Sequence, residues 1–331
     1  MFYESTILIT GGTGSWGQEL TKQLLELPKP PKKIIIFSRG ELAQVMMQRK
    51  FKDSRIQYII GDIRDQDAIT RACKGVDYIF HLAALKHVPV CEYHPQEAIK
   101  TNIVGTQNII NAAIDNNVSK VIDVSTDKAV DPLNLYGMTK AVGERLIIQA
   151  NMLSDTKFVC IRGGNVIGSN GSVIPFFIDQ IKENNHVTLT DKNMTRYFMS
   201  LPEAIHLLFA AAEQSVGGET FVMKMPSYYI DDIAQALIAV HGNPDTKKTE
   251  VGIRPGEKIH EMLVSKNEAK VSYAYDDNYI VIMPTININD VHTHYAKQYT
   301  KFDLPEYSSE TYVTRDMQKV FEMLTNSGYI K

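Results

Sequence analysis

Cysteine is scarce and unpatterned in this chain of 331 residues: Cys73, Cys91 and Cys160 are odd in number, widely spaced and free of any C-x-x-C. That excludes a disulfide framework or zinc knuckle and leaves the thiols as small buried hydrophobes. His292 and His294 stand two apart without a clustered third ligand, so no metal is expected. No apolar run is long enough to span a bilayer, so no membrane partner is expected. The opening MFYESTILITGG has no basic n-region or cleavage site, which argues against a signal peptide and places the protein in the cytoplasm. Charge is also unremarkable: a net −3 with both signs interspersed offers no basic stripe for nucleic acid. Repeats and low-complexity linkers are absent too. What remains is a partner of small-molecule size.

The 44% hydrophobic content allows a large core. Apolar runs suited to buried parallel strands recur at 6–10, 33–38, 56–61, 76–83, 120–126 and 157–162, separated by helical patterns at 16–27, 98–117 and 136–153. This alternation predicts an α/β fold: a Rossmann doubly wound parallel sheet, with its ligand site at the carboxyl ends of the strands. After residue 162 the rhythm loosens into a glycine, asparagine and serine loop, then a helix, a helix near 200–214, a strand at 220–225 and a helix at 230–240. The expected division is a dinucleotide-binding domain over 1–162, with contributions from about 200–240, and a smaller C-terminal substrate-binding lobe over 163–283. Residues 284–331 form a polar tail with no assigned role.

TGGTGSWG places Gly11, Gly14 and Gly17 between the first strand and first helix, where backbone N–H groups can approach a pyrophosphate. Thr13, Ser15 and Trp16 complete the loop. At the end of the second strand, where an acidic residue would hold the ribose of NAD, stand Ser38 and Arg39; a guanidinium there suits a 2′-phosphate, so NADP is preferred over NAD. Glu41 lies nearby. Asp62, in GDIRD, is a candidate for the adenine amino group, or a strand-end turn residue, and Ile63 follows it.

Tyr136 and Lys140 are four apart at a helix start and share a face. A nearby ammonium stabilises phenolate and lowers a tyrosine pKa from about 10 toward the range of a general base. Ser125 or Thr126 would supply an accompanying hydroxyl. Asp127 and Lys128 form a charged pair directly after the fifth strand, either a solvated turn pair or an acid and base set side by side.

A glycine loop followed by Tyr-x-x-x-Lys after the fifth strand resembles the short-chain dehydrogenase/reductase superfamily. The length, RGGNVIGSNGSVIPFF and GIRPGEKIHEML look like its extended branch. More narrowly, TGGTGSWG, FSRGE, HLAALKHVP, STDKAVDPLNLYGMTK, TDKNMTRYF and GIRPGEK resemble the inverting UDP-N-acetylglucosamine 4,6-dehydratases of bacterial glycan biosynthesis, across most of residues 10–260. Trp16 replaces a usual phenylalanine, and Gly40 a common aspartate.

The resemblance implies a tightly bound NADP regenerated in each cycle, UDP-N-acetylglucosamine as substrate, and a homo-oligomer, dimer or hexamer. Thr126, Asp127, Lys128, Tyr136 and Lys140 are then catalytic. Tyr136 takes the carbon 4 hydroxyl proton, Lys128 the carbon 5 proton, and Asp127 protonates the departing carbon 6 hydroxyl. Retaining relatives carry aspartate-glutamate where this chain has aspartate-lysine. Leu82, Ala83, Ala84, Lys86 and Asn102 join the cofactor contacts, Asn102 as support for the Tyr136/Lys140 proton path. Lys86, Asn165, Ser172, Val173, Thr190, Met194, Arg196, Arg254 and Glu257 join the substrate contacts, with Arg196 and Arg254 on phosphate and Glu257 on the uridine ribose. His87 reads as a capping or packing residue. A sugar 4-epimerase, a 5,6-dehydratase releasing the unsaturated sugar and a non-catalytic NADP-binding regulator are the alternatives.

Overall fold

A computed structural model describes residues 1–168, 172–288 and 290–330. The first half alternates as expected: β1 (Thr6–Thr10), α1 (Ser15–Glu26), β2 (Lys33–Ser38), α2 (Glu41–Phe51), β3 (Ile56–Ile60), α3 (Gln66–Ala72) and β4 (Tyr78–His81). Then come α4 (Val88–Tyr93), α5 (Pro95–Ile99), a π-helical turn (Lys100–Val104), α6 (Gly105–Asp115), β5 (Lys120–Thr126), a 3₁₀ turn (Asp127–Ala129), α7 (Leu135–Ala150) and β6 (Lys157–Gly163). The helix expected over 98–117 runs continuously from Pro95 to Asp115, with a π-helical turn in its middle. Its π-helical turn carries the buried Asn102, and such turns often mark functional positions.

The second half holds β7 (Asn165–Val166), α8 (Val173–Asn184), β8 (His186–Leu189), β9 (Thr195–Met199), α9 (Leu201–Gln214), β10 (Thr220–Met223), β11 (Ser227–Tyr229), α10 (Ile230–His241) and β12 (Lys247–Glu250). It closes with β13 (Met262–Val264), α11 (Lys266–Ala269), β14 (Ser272–Ala274), β15 (Tyr279–Ile282), α12 (Val291–Gln298), β16 (Thr300–Lys301), β17 (Tyr307–Ser308), β18 (Val313–Thr314) and α13 (Met317–Asn326). Residues 169–171, part of the loop read from sequence, lie outside the described residues.

The main sheet runs β16-β14-β15-β10-β6-β5-β4-β1-β2-β3. Strands β3 through β10 in that order pair parallel, while β15, β14 and β16 add antiparallel. Parallel strands covered on both faces must be apolar throughout, and β1, β2, β4 and β6 are almost wholly buried. Chain order reverses beside β1, which opens the ligand crevice at the carboxyl ends of β1 and β4.

A second apolar cluster, including Ile174, Phe177, Leu237, Val320 and Leu324, builds the lobe from α8, α10 and α13. The stretch read as lobe and tail is therefore shared: β14, β15, α12 and β16 return to the main sheet, and α13 belongs with the lobe. Weak local periodicity hid this because α12 is anchored by Tyr295, fully buried, whose hydroxyl donates to Glu219 Oε1 at 2.9 Å.

Arg162 at the end of β6 joins the layers. It donates to Glu144 Oε1 and Oε2 of α7 at 2.8 and 2.7 Å, to Glu268 at 2.7 and 2.9 Å, and to the Leu263 carbonyl at 3.0 Å. Removing the guanidinium strands the Glu144 carboxylate in the interior. Arg162→Met should cost about 3–5 kcal/mol, read as a lowered urea midpoint; an unchanged midpoint would show that the ion pair contributes nothing net.

Candidate functional site

The glycine loop has the shape of a phosphate cradle. Gly11 has φ +66°, and a Cβ there would lie 2.9 Å from the Ala83 backbone. A Cβ on Gly17 would approach the Gly12 carbonyl oxygen to 2.3 Å, so α1 can pack this tightly on β1 only with glycine. Gly14 caps α1 with no side-chain partner for the first N–H groups, leaving them free for an anion. Trp16 sits within 3.4 Å of a Cβ built on Gly163, so its ring lines the end of β6 while Thr13 and Ser15 flank the cradle.

At the end of β2, Ser38 is buried and receives Gln44 Nε2 on its hydroxyl at 3.0 Å. Arg39 is exposed and reaches to 3.9 Å from Asp62. Asp62 accepts from the Arg64 backbone at 3.0 Å and its guanidinium at 2.6 Å; burial pulls its pKa up, but Arg64 and Arg39 hold it below the usual range. Ile63 packs under Gly105, and its carbonyl accepts from Asn108. Leu82 and Ala83 border the crevice beside exposed Ala84 and Lys86, whose amine is pushed down by desolvation and by the charge of Lys128.

Asn102 holds this loop in place. Its Oδ1 accepts from Leu85 N at 2.8 Å, and its Nδ2 donates to the Leu85 carbonyl at 2.8 Å and to Thr139 Oγ1 at 3.0 Å. Among the described residues it makes no hydrogen bond to Tyr136 or Lys140. The amide clamps the loop after β4 onto α7.

Tyr136 and Lys140 are both buried in the first turns of α7. Asn134 starts the helix, accepting from Gly137 N at 2.8 Å. Lys140 Nζ lies 3.2 and 3.4 Å from the two oxygens of Asp123, which is wholly buried in β5. His81 Nε2 stands 3.9 Å from the same carboxylate, while His81 Nδ1 shares a hydrogen with Thr10 Oγ1 at 2.7 Å. Burial brings the His81 pKa to about 4, so the ring is neutral. This layer was missed in the sequence, although a carboxylate inside an apolar parallel run has to find a cation.

The expected lowering of the Tyr136 pKa is not what the structure shows. Burial raises it, and Lys140, Lys128 and the Thr126 hydroxyl offset that only in part. The buried Asp127 carboxylate adds to the rise. Successive strand residues face opposite ways, and Thr126 is the hydroxyl placed at Tyr136; Ser125 Oγ is buried without a partner among the described residues.

Asp127 and Lys128 are not a solvated pair. Asp127 is wholly buried; its Oδ1 accepts from Thr126 Oγ1 at 2.8 Å and from Lys128 Nζ at 2.9 Å. Asp127 Oδ2 is buried with no partner among the described residues. Lys128 Nζ also lies 3.5 Å from Asn165 Oδ1 and 3.7 Å from Glu261 Oε1. Desolvation opposes its charge, but Asp127 and Glu261 prevail and raise the pKa, so Lys128 rests as an ammonium.

The remaining substrate-side residues divide. Ser172 caps α8 with a buried hydroxyl that has no partner among the described residues, beside Val173. Thr190 follows β8 half-buried, but Met194 is buried in the lobe's apolar cluster. The Arg196 guanidinium, expected on phosphate, is instead nearly buried and donates to the carbonyls of Thr195, Lys258 and Ile259 at 2.7, 2.8 and 3.0 Å. It pins the GIRPGEK loop. Arg254 is exposed, and its backbone N–H points at Glu257 Oε2, 3.4 Å away.

Gly137 is the other residue sequence reasoning passed over. A Cβ there would lie 2.1 Å from the Lys128 carbonyl oxygen. Gly137→Ala must push α7 off the 3₁₀ turn. Overpacking of this kind costs about 1–3 kcal/mol, and a displacement near 1 Å costs roughly 100-fold in turnover. Melting curves and steady-state rates check this; unchanged turnover would show that the close approach serves packing alone.

A family model described as polysaccharide biosynthesis protein matches residues 7–283. A curated relative named UDP-N-acetylglucosamine 4,6-dehydratase (inverting), from Campylobacter jejuni, is 45% identical over 88% of this chain and 86% of its own. Another, named UDP-glucose 4-epimerase, from Rickettsia bellii, is 41% identical over 100% of this chain and 98% of its own. The X-ray structure of Pen from Bacillus thuringiensis superposes with a TM-score of 0.92 at 36% identity, covering 100% of both chains. With the crevice, the Tyr136/Lys140 pair and these matches in agreement, the chain belongs to the polysaccharide biosynthesis protein family and is an enzyme of the extended short-chain dehydrogenase/reductase type.

Proposed function

We propose that this enzyme removes water from UDP-N-acetylglucosamine, inverting carbon 5, with NADP as cofactor. The observation that carries the reading is Asp127-Lys128, a buried acid-base pair beyond Tyr136 and Lys140, with Asp127 Oδ2 unpartnered and available to a substrate hydroxyl. A 4-epimerase has no use for such a pair.

The glycine cradle at Gly11, Gly14 and Gly17 fits a dinucleotide pyrophosphate, and exposed Arg39 fits a 2′-phosphate. A nicotinamide held there would supply the hydride chemistry at carbons 4 and 6. Tyr136 takes the carbon 4 hydroxyl proton, helped by Lys140 and Thr126. Lys128 takes the carbon 5 proton and Asp127 protonates the leaving hydroxyl at carbon 6. The resting pair reaches those states by one proton transfer from Nζ to Oδ1 across 2.9 Å, with no change in net charge. Excluding water favours the neutral pair, because separated charges lose solvation. Tyr136, neutral after its first step, is then the donor for the opposite face of carbon 5. Ser172 at the start of α8 and exposed Arg254 are the groups offered to the diphosphate, with Glu257 for the ribose. The same reading makes the protein a cytoplasmic homo-oligomer serving surface-glycan synthesis; among the described residues no helix is long and apolar enough to cross a membrane.

The 4-epimerase reading is kept because relatives named UDP-glucose 4-epimerase match the whole chain. Incubation with UDP-N-acetylglucosamine in heavy water decides between them. Loss of one water with deuterium at carbon 5 and the inverted coupling pattern is expected; unchanged mass with carbon 4 inverted would make it an epimerase, and a 5,6-unsaturated product would mean that hydride is not returned. Lys128→Ala and Asp127→Asn should each lower dehydration by about 10²–10⁴ while cofactor reduction persists.

A pH dependence follows from Asp123. Activity needs the Tyr136 phenolate and should rise with pH. Asp123→Asn removes a buried negative charge 3.2 Å from the Lys140 ammonium and should move the rising limb of the rate profile to lower pH. A limb that stays in place would mean that Asp123 does not restrain the ammonium.

A further inference from the structure

Glu261 was not among the expected site residues, yet it enters the site from the GIRPGEK loop, just before β13. Its side chain is 3% exposed. Oε1 stands 3.7 Å from Lys128 Nζ and 3.7 Å from Arg196 Nε, while Oε2 is buried with no partner among the described residues. Its backbone is fixed at both ends: the N–H donates to Ser309 Oγ at 2.9 Å, and the carbonyl accepts from Ser309 N at 2.8 Å. Arg196 is fixed as well, since three of its other N–H groups donate to the carbonyls of Thr195, Lys258 and Ile259. Four charges, Asp127, Lys128, Glu261 and Arg196, therefore sit in a buried group whose sum is zero.

We propose that Glu261 is a positioning residue that holds the Lys128 ammonium in line with Asp127 and sets where that pair's shared proton rests. The inference rests on the role given above to Asp127-Lys128. Lys128 is faced by Asp127 on its own turn, Tyr136 from α7, Lys86 from the loop after β4, Arg196 from β9, and Lys258 and Glu261 from the loop before β13. Of these only Asp127 and Glu261 are carboxylates, and only Glu261 is free of a covalent neighbour in the pair. With Glu261 charged, Lys128 stays an ammonium until substrate closes the site. With Glu261 neutral, Lys128 faces Arg196, Lys86 and Lys258 opposed by Asp127 alone, and the amine loses its proton more readily.

The test reads the Lys128 amine directly. The whole enzyme is treated with an acylating reagent across a pH series, and labelling of each lysine is followed by peptide mass mapping. The rate at Lys128 tracks its neutral fraction. Glu261→Gln should move the Lys128 labelling curve about 1–3 pH units lower, the size expected for loss of one charge at this distance, while distant exposed lysines keep theirs. Glu261→Asp withdraws the charge by one methylene and should move the curve the same way by less, which keeps the test alive if the glutamine variant fails to fold. Superimposed curves, or a shift shared by all lysines, would overturn the proposal. The readout needs no turnover, so an enzyme that proves to be an epimerase would refute the dehydratase reading and leave the Glu261 result standing separately.

Discussion

The contact between α7 and the turn after β5 is closer than any side chain permits, and the geometry of the site follows from it. Because residue 137 carries no Cβ, the helix can press its first turn onto the Lys128 carbonyl. That places Tyr136 beside Thr126 and within the fields of Lys128 and Lys140 at once. Asn134 caps the same turn and donates from its amide to the Gly256 carbonyl at 2.9 Å, so the GIRPGEK loop is drawn over it. One glycine thus couples the sheet, the helix carrying the tyrosine and the loop that brings in Glu261.

Two buried electrostatic layers meet at this contact. The lower one, Asp123, Lys140 and neutral His81, lies within the sheet and is held by Thr10 and Thr106. The upper one, Asp127, Lys128, Glu261 and Arg196, lies between the sheet and the lobe. Charges removed from water are tolerated only when paired, and the cost of breaking one pair exceeds what the intact pair contributes. Pairing also fixes protonation. It keeps Lys140 an ammonium beside Tyr136, and leaves Lys128 charged until its proton moves along an existing hydrogen bond. The resting site therefore stores on Lys128 the proton that the chemistry later relocates to Asp127.

The lobe explains why neither layer collapses into solvent. Residues far apart in the chain close it: α8, α10 and α13 share one apolar cluster, and Ser309 ties the segment before β13 to Thr195 at the start of β9. The final third of the chain does two jobs, adding three antiparallel strands to the main sheet and covering the crevice from the other side. Arg162 connects these jobs by bonding α7 and α11 together from the end of β6.

The sequence by itself determined the parallel sheet, the glycine cradle, the family and the two motif pairs, because each depends on residues close in the chain: buried strands are apolar runs, a tight turn needs glycine, and Tyr136 and Lys140 share a helix face through a spacing of four. It did not reveal the shared ownership of the last 70 or so residues, whose short strands carry little periodic signal, nor that Arg196 serves a loop and Met194 a core. Only the tertiary structure decided the state of the charged groups. Whether Lys128 is an ammonium and Tyr136 a neutral phenol depends on burial and on the carboxylates of Asp127 and Glu261, which folding takes out of water around those groups; electrostatic energy depends on distance and dielectric, and neither is written in the order of the residues.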